Sequence, residues 1–404
     1  MVGPFRIALA ALAAALSLPS AAGAAQHASL QERLSAALAS GRGVAGALVV
    51  DLRTGATVFA QNADLPLAPA SNQKLGVTYA ALTGLGRGFR IATDVLGRGM
   101  QDGTTWNGDL VLKGYGDPTL SGAGLAKLAR QVAADGITRV TGRVVGDESW
   151  FDSARTGVGW KPSFFILESP PLSALIVNRG WDGRRTSRQP ALTAAQLFRA
   201  ALGRAGVKVA GGAAVGVAAQ DAQLLAEIES PPVSALVHFM DLYSDNFTAE
   251  MLIKQVGAVQ AASGTAAAGI GVELSLLQDA GVPLDGVHLV DGSGLSQVDR
   301  WTATGLVSLL RAMWQDPALE PDLLSALPIA GVNGTLQDRM ERGPAYRNVR
   351  AKTGTTDECT ALSGFVRDRY VFSILINGHP VSWTATRSAE DRFAQVLASA
   401  ATAG

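Results

Sequence analysis

The sequence predicts an α/β (α+β) protein, an antiparallel sheet flanked by helices with one further α/β unit inserted into it. Three observations carry this. A strand–turn–strand pattern stands early, at residues 46–60. Two apolar β-runs and a helical segment stand at the end, at 360–366, 370–377 and 388–400. Between these ends the pattern changes to strands mixed with amphipathic helices. A sheet drawn from both ends of a chain, interrupted by a block with its own elements, implies a discontinuous domain. The expected organisation is residues 1–24 as a signal peptide, 25–90 with 230–404 as the main domain, and 91–229 as the accessory domain.

The elements follow in order. Arg6 gives a short positive start, residues 7–18 are apolar, and Ala22-Gly23-Ala24 fits a small-x-small cleavage site, so export is expected. The apolar run is too short to span a bilayer comfortably. Leu30, Leu34 and Leu38 have helical spacing. Residues 46–51 and 56–60 read as strands around the turn Leu52-Arg53-Thr54-Gly55. A helix is expected from Ser71 to about Leu82, ended by Gly84 and Gly86. In the middle block, residues 109–112 and 140–145 read as strands, and 125–134 and 192–202 as helices. Gly116-Asp117-Pro118-Thr119-Leu120 is a turn by composition, and 150–188 a long loop. Ser230-Pro231-Pro232 marks a boundary, followed by one or two helices over 233–259. Asp291-Gly292-Ser293-Gly294-Leu295-Ser296 reads as a structural turn, 302–313 as a helix, and residues 349–355 end a short strand.

Of the 404 residues, 48% are hydrophobic and 17% charged, which allows a large core and argues against disorder. Lys+Arg 34 equals Asp+Glu 34, so charge gives no reason to expect nucleic acid or an anionic membrane as partner. Cys359 is the only cysteine, which excludes an intramolecular disulfide. Its expected role is that of a buried, inert thiol.

Three short motifs carry chemistry. Ser71-Asn72-Gln73-Lys74 is the only Ser-x-x-Lys, Ser244-Asp245-Asn246 the only Ser-x-Asn, and Lys352-Thr353-Gly354 the only Lys-[Ser/Thr]-Gly. By composition, each of the first two arises by chance roughly once in two chains of this length, and the third about once in ten. All three in this order come out on the order of one in a few hundred. Taken singly, Ser71 and the Ser244 triplet also suit helix caps, the commonest use of such residues.

Attack on an amide carbonyl needs an activated hydroxyl, a base, a proton path to the leaving amine and donors for the oxyanion. His27, His238, His288 and His379 have no context suggesting a catalytic partner. Lysine is scarce, and an arginine could not act as base because it stays protonated. The reading therefore makes Ser71 the nucleophile and Lys74, one helical turn on, its base. The Lys74 pKa is expected to be depressed by burial and by a second cation such as Lys352. Ser244 would pass the proton to the leaving nitrogen and Asn246 would hold the substrate amide. Lys352 supplies charge near the site. Thr353, Gly354 and Thr355 belong to the substrate-binding strand, with the Thr353 and Thr355 hydroxyls on a substrate carboxylate. Backbone N–H groups of Ser71 and Thr355 are the expected oxyanion donors.

The three motifs in this order are the signature of serine acyl-transfer enzymes that act on D-Ala-D-Ala peptides and are trapped by penicillins. With Pro69-Ala70-Ser71, Gly116 to Leu120, Asp291 to Ser296, residues 331–336 and Ala351 to Thr355, nearly the whole mature chain resembles the low-molecular-mass class C penicillin-binding proteins. These are the D-alanyl-D-alanine carboxypeptidases/endopeptidases, serine peptidase family S13. The resemblance implies a penicillin-binding transpeptidase/β-lactamase-like domain and an extracytoplasmic place, loosely membrane-associated at most. It further implies peptidoglycan stem peptides as substrate, β-lactam antibiotics as inhibitors, and no metal or organic cofactor. The interval from Ser71 to Ser244 is short for the family's usual two inserted domains, so one accessory domain is expected. A class A β-lactamase shares the motifs but needs a Glu-x-x-x-Asn between the second and third, and none occurs there. A non-catalytic wall-binding or penicillin-sensing module would have no use for Ser71 beside Lys74.

Overall fold

A computed structural model of the chain describes residues 21–403; residues 1–20 of the expected signal segment lie outside the described residues. A five-stranded antiparallel sheet forms from both ends of the chain. Its order is β10 (Val349–Thr355), β11 (Cys359–Val366), β12 (Tyr370–Asn377), β1 (Val44–Asp51) and β2 (Thr57–Gln61). The join between the ends is β1 on β12, in register from Val44 opposite Asn377 to Asp51 opposite Tyr370. Alternation sends Ala47 and Val49 to one face and Leu48 and Val50 to the other, and all four are buried. On the first face lie Leu30, Leu34 and Leu38 of α1 (Ala21–Ala39) and Phe393 and Leu397 of α11 (Trp383–Ala403). The second face carries the helical layer: α2 (Lys74–Ala80), α6 (Val233–Tyr243), α7 (Asn246–Gln260), α8 (Ala266–Asp279), α9 (Ala303–Gln315) and α10 (Glu320–Ala326).

Residues 92–229 hold a second sheet of seven strands. Antiparallel β3 (Ala92–Asp102), β4 (Thr105–Gly114) and β9 (Gln223–Glu229) are joined by the parallel pairs β5 (Arg139–Val140), β6 (Val144–Asp147), β7 (Lys208–Val209) and β8 (Ala213–Val215). Helices α3 (Gly122–Ala134) and α5 (Pro190–Arg204) cover it with their own core around Trp106, Leu128 and Phe198. The segment between these helices includes one distorted turn, α4 (Phe164–Leu167). Phe151, Leu172 and Ile176 from this segment pack on Phe247 and Met251 of α7, which ties the insertion to the helical layer.

Several expectations are corrected. The helix from Ser71 begins as a 3₁₀ turn over Ala70–Gln73, becomes α only at Lys74, and widens to a π turn over Ala81–Gly86. The widening turn leaves the Gly84 carbonyl to accept from Gln260 Nε2 of α7. The expected strand at 140–145 is two strands, β5 and β6. Arg143 N donates to Asp109 Oδ1 at 2.6 Å, and a Cβ at Gly142 would strike the Gly108 carbonyl. The backbone is thus pulled onto β4 at the break. The last helix starts at Trp383, well before the expected Ser388.

Candidate active site

Ser71 stands at the mouth of a cleft of about 520 Å³ between the sheet edge and the helical layer. Its turn is gripped from both sides. Ala70 has φ +44°, a costly conformation for a residue with a Cβ. A Cβ on Gly354 of β10 would lie 2.8 Å from the Pro69 carbonyl, and one on Gly294 would overlap the Ala70 carbonyl. Two glycines therefore let two backbones close on the Ser71 turn.

Lys74 is fully buried. Its Nζ meets Ser71 Oγ at 2.9 Å, Asn246 Oδ1 at 2.8 Å and the Ser293 carbonyl at 2.7 Å. Burial lowers its pKa to about 8, against the pull of Asp291, Asp245, Asp241 and Glu250. Lys352 on β10 is equally buried, and its Nζ donates to Ser244 Oγ at 2.9 Å and the Thr353 carbonyl at 3.0 Å. Burial and the charge of Lys74 lower the Lys352 pKa to about 7, against Asp241. Two buried ammonium groups at one cleft disfavour each other's charge, so burial and mutual repulsion both favour loss of a proton from this pair.

The second motif reaches the cleft because α6 ends at Tyr243, Ser244 turns the chain in a left-handed conformation at φ +58°, and α7 starts two residues later at Asn246. Asp245 caps α7 by accepting from Thr248 N at 2.8 Å. The same carboxylate takes both arms of Arg179, at 2.6 and 3.0 Å, and Arg179 lies over the rings of Phe239 and Phe247. Although burial works against its charge, these donors hold the Asp245 pKa below the usual carboxylate range. Asn246 Nδ2 donates to the Glu168 carbonyl at 3.0 Å, so the long loop of the insertion forms one wall. On the opposite wall Thr353 Oγ1 meets Thr335 Oγ1 at 2.7 Å, and Thr355 Oγ1 accepts from Arg387 Nη2 at 3.0 Å. All eight residues singled out from sequence converge here: Ser71, Lys74, Ser244, Asn246, Lys352, Thr353, Gly354 and Thr355.

Sequence reasoning missed the support beneath them. Asp291 to Ser296 is more than a structural turn, since its Ser293 carbonyl holds the Lys74 amine. That turn is fixed by Glu250 Oε1, which accepts from Gly292 N at 3.0 Å and Ser293 N at 2.8 Å. Asp291 accepts from Gly294 N at 2.7 Å, Ser296 N at 2.8 Å and Trp160 Nε1 at 2.7 Å. Gln73 beside Lys74 donates to Glu273 at 3.1 Å and accepts from Trp301 Nε1 at 2.6 Å. Asp241, close to both lysines, accepts from Thr78 Oγ1 at 2.6 Å, and burial raises its pKa to about 6. An acid beside Met240 and Leu242 in the mostly apolar α6 was the one available signal for Asp241.

The arrangement has counterparts elsewhere. A family model described as D-Ala-D-Ala carboxypeptidase 3 (S13) family matches residues 27–183 and 181–400. A D-alanyl-D-alanine carboxypeptidase of Actinomadura sp. (strain R39) is 34% identical, the match covering 88% of this chain and 81% of that protein. Carboxypeptidase DacB of Mycolicibacterium smegmatis is also 34% identical, over 92% of this chain and 84% of that protein. Among solved structures, penicillin binding protein 4 (dacB) from Haemophilus influenzae superposes with a TM-score of 0.82 at 22% identity, covering 92% of this chain and 98% of that one. The solved structure establishes the shared fold, and the matched model together with the two relatives establishes descent: the chain belongs to the D-Ala-D-Ala carboxypeptidase 3 (S13) family.

Proposed function

We infer that the protein is a serine D-Ala-D-Ala carboxypeptidase and/or endopeptidase. It acts on peptidoglycan stem peptides through an acyl-enzyme on Ser71 and is inhibited by β-lactams. One observation carries the reading: a fully buried lysine amine, with its pKa lowered to about 8, stands 2.9 Å from the Ser71 oxygen.

The neutral Lys74 amine takes the Ser71 proton as Oγ attacks the carbonyl carbon of the penultimate D-Ala. The oxyanion forms against the Ser71 and Thr355 N–H groups. The C–N bond breaks as Ser244, hydrogen-bonded to Lys352, passes its proton to the leaving nitrogen and takes up the one that Lys74 received from Ser71, which leaves Lys74 neutral again. A water then adds to the Ser71 ester, the C–O bond to serine breaks, and the serine regains its proton. The donor chain leaves with a new carboxylate. Asn246 fixes the substrate amide, and Thr353 and Thr355 meet the leaving residue. A β-lactam opens on the same oxygen and leaves the same ester.

The full chain is to be incubated with monomeric and cross-linked muropeptides and with a labelled penicillin, and the products weighed. The wild type is expected to release D-Ala, split cross-links, or both, and to retain the label for many turnovers' time. Ser71→Ala is expected to do neither. A Ser71→Ala variant that still hydrolyses fully or still labels covalently refutes the nucleophile assignment. Rapid loss of the penicillin label would favour the β-lactamase reading instead.

The same reading puts the enzyme outside the cytoplasm, supported by the positive start and apolar run of residues 1–24. Sequencing the N-terminus of the exported protein checks it.

A further inference from the structure

Two arginines line the cleft, and they are not equivalent. Arg339 is largely buried, and its Nη2 meets Glu390 Oε2 at 2.9 Å and Asp391 Oδ1 at 2.6 Å, so its charge is neutralised in place. Arg387 of α11 has no carboxylate partner among the described residues. It is nevertheless held. Its Nη2 donates to Thr355 Oγ1 at 3.0 Å, and its guanidinium lies 5.8 Å from the centre of the Trp383 ring. Trp383, one turn back on the same helix face, is pinned to the neighbouring residue of the sheet edge, its Nε1 donating to the Thr356 carbonyl at 2.8 Å. A cation with no ion-pair partner among the described residues is thus held at the rim of β10, beside the Thr355 hydroxyl and in the cleft that Thr353 also lines.

We propose that Arg387 is the specificity residue that reads the free α-carboxylate of the residue leaving from the scissile bond. The proposal rests on the acyl-transfer reading above. The leaving D-Ala carries a carboxylate one Cα beyond the amide that Ser71 attacks. Hydroxyls at Thr353 and Thr355 both donate and accept, so they bind a carboxylate or a carboxamide with little preference. A guanidinium only donates and carries a full charge, so it distinguishes the anion. It also offsets Glu168 and Asp338, two acids lining the same cleft, which would otherwise repel an anionic terminus.

The test compares full-length wild type, Arg387→Gln and Arg387→Lys on one stem-peptide mimic with two ends, D-Ala-D-Ala as free acid and as carboxamide. Wild type is expected to favour the acid by roughly tenfold to hundredfold in kcat/KM, the range of a charge-assisted hydrogen bond. Arg387→Gln is expected to bring that ratio within about threefold of one, chiefly through KM on the acid, with Arg387→Lys between. An Arg387→Gln variant that keeps the wild-type ratio, or loses both substrates equally, overturns the proposal and leaves Arg387 a strut. Wild type that labels with penicillin yet shows no acid preference overturns the carboxylate assignment and leaves acyl transfer standing. Wild type that neither labels nor hydrolyses overturns both.

Discussion

A lysine can remove a proton only from the state in which it has lost its own. With the Lys74 pKa lowered to about 8, roughly a tenth of the molecules hold the neutral amine at pH 7. Acylation of Ser71 by a penicillin should therefore rise about tenfold per pH unit below pH 8 and level off above it. Stopped-flow or label-uptake rates from pH 6 to 9.5 measure this, and a flat profile would contradict the base assignment. Lys74→Arg keeps the charge but cannot deprotonate, so acylation should fall by at least about a hundredfold at every pH tested. The same chemistry explains what was readable beforehand. Few residue types can serve as nucleophile and base without a histidine, so Ser71, Lys74 and Lys352 stood out. Ser293 and Glu250 did not: Ser293 acts through its backbone carbonyl, which leaves no mark on residue type, and the Glu250 carboxylate holds a turn 42 residues further along the chain, a pairing that only the fold makes.

The Ser71 turn is built by pressing short backbones together. Gly294, at φ +76° against the Ala70 carbonyl, is the tightest of these contacts. Gly294→Ala adds both left-handed strain and a collision, and should cost about 1–3 kcal/mol of stability. It should also displace the Ser293 carbonyl from Lys74 and slow penicillin acylation at least about tenfold. Melting temperature and labelling rate check the two effects, and an unchanged labelling rate would remove the Asp291–Ser296 turn from the site's support. Arg179, which grips the cap of α7, tests the insertion's part in the same way. Arg179→Ala should weaken acylation several-fold, since Asp245 then lacks the fork that orients the Ser244–Asn246 corner. Strands β1, β11 and β12, short runs buried on both faces and therefore mostly apolar throughout, were legible in advance. Strand β3 was not: Gly97, Arg98, Gly99, Gln101 and Asp102 break the pattern. Gly97 is required because Trp106 of β4 lies across it, where a Cβ would collide. A cross-strand ring decides that residue, and only tertiary pairing reveals it.

The site and the core impose opposite demands on pH across the whole molecule. Burial raises the pKa of Glu250 to about 8, of Glu273 to about 8, and of Asp299 to about 11. Between pH 4.5 and 8 the folded chain keeps protons on these acids that the unfolded chain has released. Stability therefore falls as pH rises through that window. The lysines act in the other direction and higher. Lys352 and Lys74, lowered to about 7 and about 8, have released protons that an unfolded lysine holds up to about 10.5, so above pH 8 they return stability against the continuing loss from Asp299. Acids with lowered pKa, such as Asp51 and Asp245, contribute stability that is lost only as pH falls through their own depressed values, below this range. The melting temperature should thus fall by at least about 2 °C from pH 5 to 8. It should recover or flatten beyond, while acylation climbs over the same interval. Glu273→Gln tests the cause, because it removes one raised acid without touching Ser71 or Lys74. The slope between pH 5 and 8 should become shallower in that variant. A melting temperature that rises steadily from pH 5 to 8 in the wild type would show that these carboxylates ionise in the fold as readily as in water. The buried acids would then be solvated in solution, and the Lys74 amine they surround would stay protonated where activity requires it neutral.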